Sequence, residues 1–123
     1  DRGIRIKSTR GRGGVVEDIR VSNVVMSDIK REAVVLNLKY SQMKMEKKSE
    51  RTPVFRNIFV TGLTVRGTQT PLKVDGLPEA PIEGIVFRDI YVNDAKEECL
   101  FRDCKDLVID DVYVNGEKIK YEK

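Results

Sequence analysis

The sequence contains no histidine and only two cysteines, Cys99 and Cys104. Structural zinc sites draw four ligands mainly from these two residue types, so the chain cannot complete one, and we expect neither a metal nor a cofactor. The two cysteines are separated by LFRD. This spacing fits either a disulfide in an oxidising compartment or two small buried apolar side chains.

Long apolar runs and a strong charge of one sign are also missing. No apolar stretch approaches the length of a membrane-spanning helix. The 23 Lys and Arg residues against 20 Asp and Glu give a net charge of only +3, with both signs interspersed. The segment STRGRGG from Ser8 is a single RGG-like copy without interleaved aromatic residues, which is more typical of a turn. We therefore expect neither a membrane nor a nucleic acid as partner.

The remaining composition is that of a globular protein. Hydrophobic residues make up 40% of the chain and charged residues 35%. A length of 123 residues suits one domain that is large enough to bury a core. We expect a single domain over residues 1–123.

An internal repeat is the strongest signal in the sequence. Four segments align: DIRVSNVVM, NIFVTGLTV, GIVFRDIYV and DLVIDDVYV. In each segment apolar residues recur in steps of two, three and two, beginning at Ile19, Ile58, Ile85 and Leu107. Steps of two are typical of a strand with one buried face. The step of three predicts a corner, and the residues before each second strand tolerate a left-handed backbone: Asn23, Gly62, Asp89 and Asp111.

Single short strands alternate with these cornered pairs. They are GIRIKS, AVVLNLKYS, TPLKVDG and ECLFRD. This order predicts an all-β, right-handed parallel β-helix in which three short strands make one turn. The repeat starts are 39, 27 and 22 residues apart, and loops at the corners account for the unevenness, chiefly 42–53 and 75–81. A leucine-rich repeat would need a steadier period and a helical segment.

The run GIRIKSTRGRGGVVEDIRVSNVVM followed by AVVLNLKYS resembles the C-terminal part of glycoside hydrolase family 28, the polygalacturonases and related pectin-degrading enzymes. The resemblance implies a secreted or periplasmic enzyme that hydrolyses bonds between galacturonic acid units with inversion. The family takes its catalytic groups from N-T-D, Asp-Asp and G-H-G motifs that precede R-I-K. We therefore expect the C-terminal turns of a solenoid truncated at its N-terminal side, with no catalytic residue in this chain.

Arg5 and Lys7 are two positions apart, so on a strand both project to one side while Ile4 and Ile6 face the core. By resemblance they match the family's substrate-contacting basic pair. A guanidinium suits the planar carboxylate of a galacturonate, and an ammonium adds charge without demanding one geometry. The alternative is a solvated strand face that carries two basic residues.

Tyr40 matches the family's substrate-contacting tyrosine by its place at the end of LNLKY. An aromatic ring can pack against a sugar while its hydroxyl forms a hydrogen bond. Strict alternation from Val34 would instead turn Tyr40 inward, unless the strand bends before Lys39. Both interpretations stay open at this point.

Asp110 and Asp111 invite comparison with the family's catalytic Asp-Asp pair. They occupy the corner of the fourth repeat, however, and they follow R-I-K instead of preceding it. We interpret them as structural corner residues.

Two classes of function fit these observations. The first is the substrate-binding and structural portion of a pectin hydrolase whose ligand is an acidic polysaccharide. The second is a non-catalytic β-helix module that binds carbohydrate or serves in surface display. In either case the exposed edge of the first turn predicts self-association of the isolated chain.

Overall fold

A computed structural model describes residues 3–7, 14–38 and 54–121 of the chain. Within these ranges the chain forms seven strands and no helix: β1 Ile4–Lys7, β2 Val15–Asn37, β3 Val54–Asp75, β4 Ile82–Ala95, β5 Leu100–Arg102, β6 Cys104–Val114 and β7 Glu117–Lys118. Nothing in the described ranges resembles a helix of the length and apolarity that crossing a membrane requires.

The long strands bend as they run around the molecule. A straight strand of the length of β2, 23 residues, would extend over about 75 Å. Instead β2 and β3 turn at residues whose φ is positive, including Asn23 at 58° and Gly62 at 69°. Asp89 and Asp111 turn the next two repeats in the same way, at 58° and 52°. The four corners predicted from the apolar step of three are therefore confirmed.

Pairing between successive turns is parallel from β1 to β6, as the repeat predicts. The strands follow the order β1-β2-β3-β4-β6-β7, and β5 pairs with β3. Ile19 pairs with Ile58, Ile58 with Ile85, and Ile85 with Leu107. Ile58 and Ile85 are fully buried, and the two outer members pack against the same core. The predicted internal column and the parallel β-helix are confirmed.

The single strands between the cornered pairs also stack on one another. β1 pairs with residues 34–37 of β2, these pair with residues 72–75 of β3, and residues 73–75 pair with β5. The segment 76–81 leaves the stack as a short loop closed between Leu77 and Ala80. The other predicted loop, 42–53, lies outside the described residues.

The chain direction reverses at the C-terminal end. After a turn at Asn115 and Gly116, β7 pairs antiparallel with the last residues of β6. Ile119 donates its backbone N–H to the carbonyl of Val112 at 2.8 Å and packs against the core. Tyr121 meets Phe101 edge-on at 5.3 Å between ring centroids. The repeat did not predict this antiparallel closure.

Two further columns of left-handed corners accompany the predicted one. The first column contains Asp18, Asn57, Gly84 and Asp106, and the second contains Asp28, Gly67 and Asp94. At Gly62 an added Cβ would lie 2.8 Å from Oδ1 of Asn23 in the turn below. The corner therefore needs glycine both for its φ and for the close approach of the neighbouring turn.

We expect Gly62→Ala to lower the free energy of unfolding by about 1–3 kcal/mol, because a left-handed backbone strain and a steric overlap combine. Gly116→Ala is the matched control. Its φ is 83°, but no atom lies within 4 Å of the added Cβ, so it reports the backbone strain alone. Urea denaturation of both variants measures the difference. Equal destabilisation would show that Asn23 moves aside without cost.

Candidate functional site

The outward side of β1 and of the strands stacked on it forms a surface that we call the basic face. The positions that alternate with the inward residues form two columns across the stack: Arg5, Val35, Lys73 and Leu100 in one, and Lys7, Asn37, Asp75 and Arg102 in the other. Of these, Val35 and Asp75 are buried. Between them lie inward residues such as Leu36 and Val74, both fully buried. Because successive side chains of a strand point to opposite sides, the four parallel strands place four cationic side chains on one surface.

Arg5 and Lys7 lie at the β1 edge of the basic face. Both are exposed, whereas Ile4 and Ile6 are partly buried and pack against the core. The expected orientation of the basic pair, with both side chains on the outward side of β1, is therefore observed. Their role as substrate contacts stays a prediction.

Asp75 and Arg102 form a two-pronged ion pair on the same face, which sequence reasoning missed. Arg102 donates from Nε to Oδ1 of Asp75 at 3.1 Å and from Nη2 to Oδ2 at 3.0 Å. The Asp75 side chain is 6% exposed and that of Arg102 is 55% exposed. The hydrogen bond and charge of Asp75 raise the pKa of Arg102. A buried carboxylate thus holds an exposed guanidinium in one orientation.

Lys73, like Arg102, has carboxylates close to it. Its Nζ is 4.0 Å from Oε2 of Glu32, and its charge also acts on Glu97. Glu97 accepts hydrogen bonds from Thr70 Oγ1 at 2.7 Å and Gln69 Nε2 at 2.8 Å. These hydrogen bonds, that of Thr70 foremost, lower the pKa of Glu97. This cluster joins the loop after β4 to β3 and offsets the charge of Lys73.

The remaining residues singled out in the sequence lie elsewhere. Asp110 accepts a hydrogen bond from Nε of Arg88 at 3.0 Å, and Asp111 forms the left-handed corner. Both belong to the cornered pair of strands and not to the basic face, which agrees with a structural role. Tyr40 and the arginines of STRGRGG lie outside the described residues.

Cys99 and Cys104 do not form a disulfide. Both are partly buried against the core, and Cys104 pairs in register with the fully buried Ile82. Burial raises the pKa of the Cys99 thiol to about 11, which keeps it protonated and unreactive near neutral pH. The structure favours two small apolar side chains over a disulfide. The described ranges contain no group of three or more potential ligands that could hold a metal ion.

Comparisons with known proteins agree with this architecture. The model of the family described as glycosyl hydrolases family 28 matches residues 1–107. The crystal structure of a hyperthermoactive exopolygalacturonase from Thermotoga maritima is similar, with a TM-score of 0.85 and 27% sequence identity. The match covers 96% of this chain and 26% of that enzyme, so the chain spans about a quarter of its length. No curated protein gives a match. The family model covers most of the chain, and the chain belongs to glycosyl hydrolases family 28.

Proposed function

We propose that this chain is the substrate-binding and structural C-terminal part of an inverting glycoside hydrolase that acts on polygalacturonate or a related uronate polymer. The observation that carries the proposal is the outward projection of Arg5 and Lys7 together from β1. The similarity to an exopolygalacturonase supports the substrate class. Because pectin is an extracellular polymer, the proposal includes a secreted or periplasmic location.

The chemistry of the two cations suits a uronate ligand. The planar guanidinium of Arg5 can donate two parallel hydrogen bonds to a carboxylate, and the ammonium of Lys7 adds a compact positive charge beside it. Neutral sugars offer neither a planar acceptor nor a negative charge. The pair therefore selects for acidic residues in the polysaccharide.

The catalytic carboxylates belong, in this proposal, to turns that precede Arg5 in a longer protein. An inverting glycosidase needs one carboxylic acid to protonate the leaving oxygen and a carboxylate on the opposite side to activate water. The carboxylates described on or beside the basic face are engaged otherwise. Asp75 binds Arg102, while Glu32 faces Lys73. The basic face thus supplies ligand contacts and not the acid and base.

The isolated 123-residue chain is expected to release no reducing sugar from polygalacturonate, whereas the longer protein that contains it should do so with inversion at the anomeric carbon. The isolated chain should also associate through the outer edge of its first turn. Reducing-sugar assays, NMR of the first product anomer and light scattering test these points. Hydrolysis by the isolated chain would contradict the placement of the catalytic groups. A longer protein without the three upstream motifs and without hydrolysis would favour the non-catalytic module.

A further inference from the structure

Arg102 is the second exposed guanidinium on the basic face. It lies in the same outward column as Lys7, with Asn37 and Asp75 between them. Three strand spacings separate Lys7 from Arg102, which amounts to about 14 Å. A sugar unit in an extended polysaccharide is similar in length to one strand spacing. A chain that crosses the strands from β1 to β5 would therefore reach Arg102 about three units beyond Lys7.

The pairing with Asp75 leaves donors on Arg102 that can bind a ligand. A guanidinium has five N–H bonds, and only Nε–H and one Nη2–H point to Asp75. The end of the guanidinium, formed by Nη1 and the other N–H of Nη2, is not engaged by Asp75, and the Arg102 side chain as a whole is 55% exposed. This end has the two-pronged geometry that matches a second carboxylate.

The burial of Asp75 distinguishes this pair from the other arginine pairs that the structure describes in full. Arg88 and Arg56 each pair through Nε alone, with Asp110 and Glu17. These partner carboxylates are 52% and 39% exposed, against 6% for Asp75. A guanidinium that a buried carboxylate already holds in place loses less side-chain freedom when it binds a ligand. Asp75 is thus a positioning residue for Arg102.

We propose that Arg102 binds a uronate carboxylate of the same polysaccharide at a subsite remote from Arg5 and Lys7. This inference rests on the proposed function, since it extends the acidic ligand along the basic face. Asp75 offsets the charge of Arg102, and Asp103 adds a second negative charge nearby. The contact therefore acts through directed hydrogen bonds more than through net attraction. Its contribution appears only with oligomers long enough to reach β5.

The test uses the longer protein and oligogalacturonides of increasing length, from trimer to octamer. Unmodified protein should gain in kcat/KM once the oligomer spans from β1 to β5. In Arg102→Gln and Arg102→Lys this gain should fall by about three- to tenfold, while kcat/KM for the shortest cleaved oligomer stays unchanged. Arg88→Gln is the matched control. Its side chain is 53% exposed but lies on another face, so its length profile should equal that of the unmodified protein.

Thermal unfolding separates a ligand contact from a purely structural pair. Arg102→Gln leaves Asp75 buried without its guanidinium and lowers stability, whereas Arg102→Lys keeps a positive charge beside Asp75. If Arg102→Gln does not fold, the length profile of Arg102→Lys decides alone. An unchanged length gain in Arg102→Lys, or an equal loss of activity at every length, overturns the inference and leaves the proposed function intact. Failure of the unmodified protein to cleave any oligouronate overturns both.

Discussion

Replacement of either cation on β1 should reduce kcat/KM for polygalacturonate in the longer protein without unfolding it. For Arg5→Gln and for Lys7→Asn we expect a loss of about 1–3 kcal/mol in transition-state stabilisation, because each removes a charge-assisted contact to a uronate carboxylate. Both side chains are exposed, so the melting temperature should barely change. Steady-state kinetics and thermal unfolding on the same preparations measure the two effects.

Arg5→Lys refines the first prediction. It keeps the charge but cannot form two parallel hydrogen bonds, so it should recover only part of the activity. Glu83→Gln is a control that alters an exposed charge on the cornered strands, and it should leave kinetics unchanged. Wild-type kinetics in both single variants would rule out substrate contact by the pair. A lower melting temperature that parallels the loss of activity would indicate a structural ion pair instead.

Phe87→Ala should lower the free energy of unfolding by about 3–5 kcal/mol. The side chain is fully buried and among the largest in the core. It pairs in register with Val60 in the preceding turn and with Ile109 in the following one, and its ring centre lies 6.4 Å from that of Phe101. Truncation leaves a cavity at the junction of three turns, and a stacked backbone cannot collapse to fill it.

Phe59→Ala is the matched control for the second prediction. Phe59 faces outward and is partly exposed, with the guanidinium carbon of Arg20 4.5 Å from its ring centre. Its removal should cost about 1 kcal/mol, from lost apolar contact and a weak cation–π interaction. Chemical denaturation of both variants gives the comparison. Similar losses at the two positions would contradict the assignment of inward and outward columns.

The fold follows from the sequence where one physical rule governs every turn. Burial of one side of each strand forces the apolar steps of two, so the column through Ile19, Ile58, Ile85 and Leu107 could be predicted. Side chains that tolerate a left-handed backbone mark the corners in the same direct way. The first residues of the four repeats, Asp18, Asn57, Gly84 and Asp106, carried this signal too. Their corners were missed because the repeat as aligned begins at these residues, so the apolar step of three across each corner, such as Phe55 to Ile58, lies outside it.

The basic face was only partly predictable. Arg5 and Lys7 are neighbours along one strand, so alternation alone orients them. Asp75 and Arg102 are 27 residues apart, and their contact depends on how many residues leave the stack at the loop 76–81. The reversal at β7 depends likewise on a tight turn at Asn115 and Gly116 that has no counterpart in the earlier repeats. Loop lengths at corners are not restricted by the packing of the core, so the apolar pattern does not encode them.

The turns shorten from the β2–β3 pair to the β4–β6 pair, and this has a kinetic consequence. Residues paired between β2 and β3 are 39 positions apart, as for Ile19 and Ile58, whereas Ile85 and Leu107 between β4 and β6 are 22 apart. Closing the shorter segment costs about 0.5 kcal/mol less in chain entropy. Every such contact is non-local, so this entropy is lost before the sheet forms. We therefore expect the pairing of β4 with β6 to precede the pairing of β2 with β3 during folding.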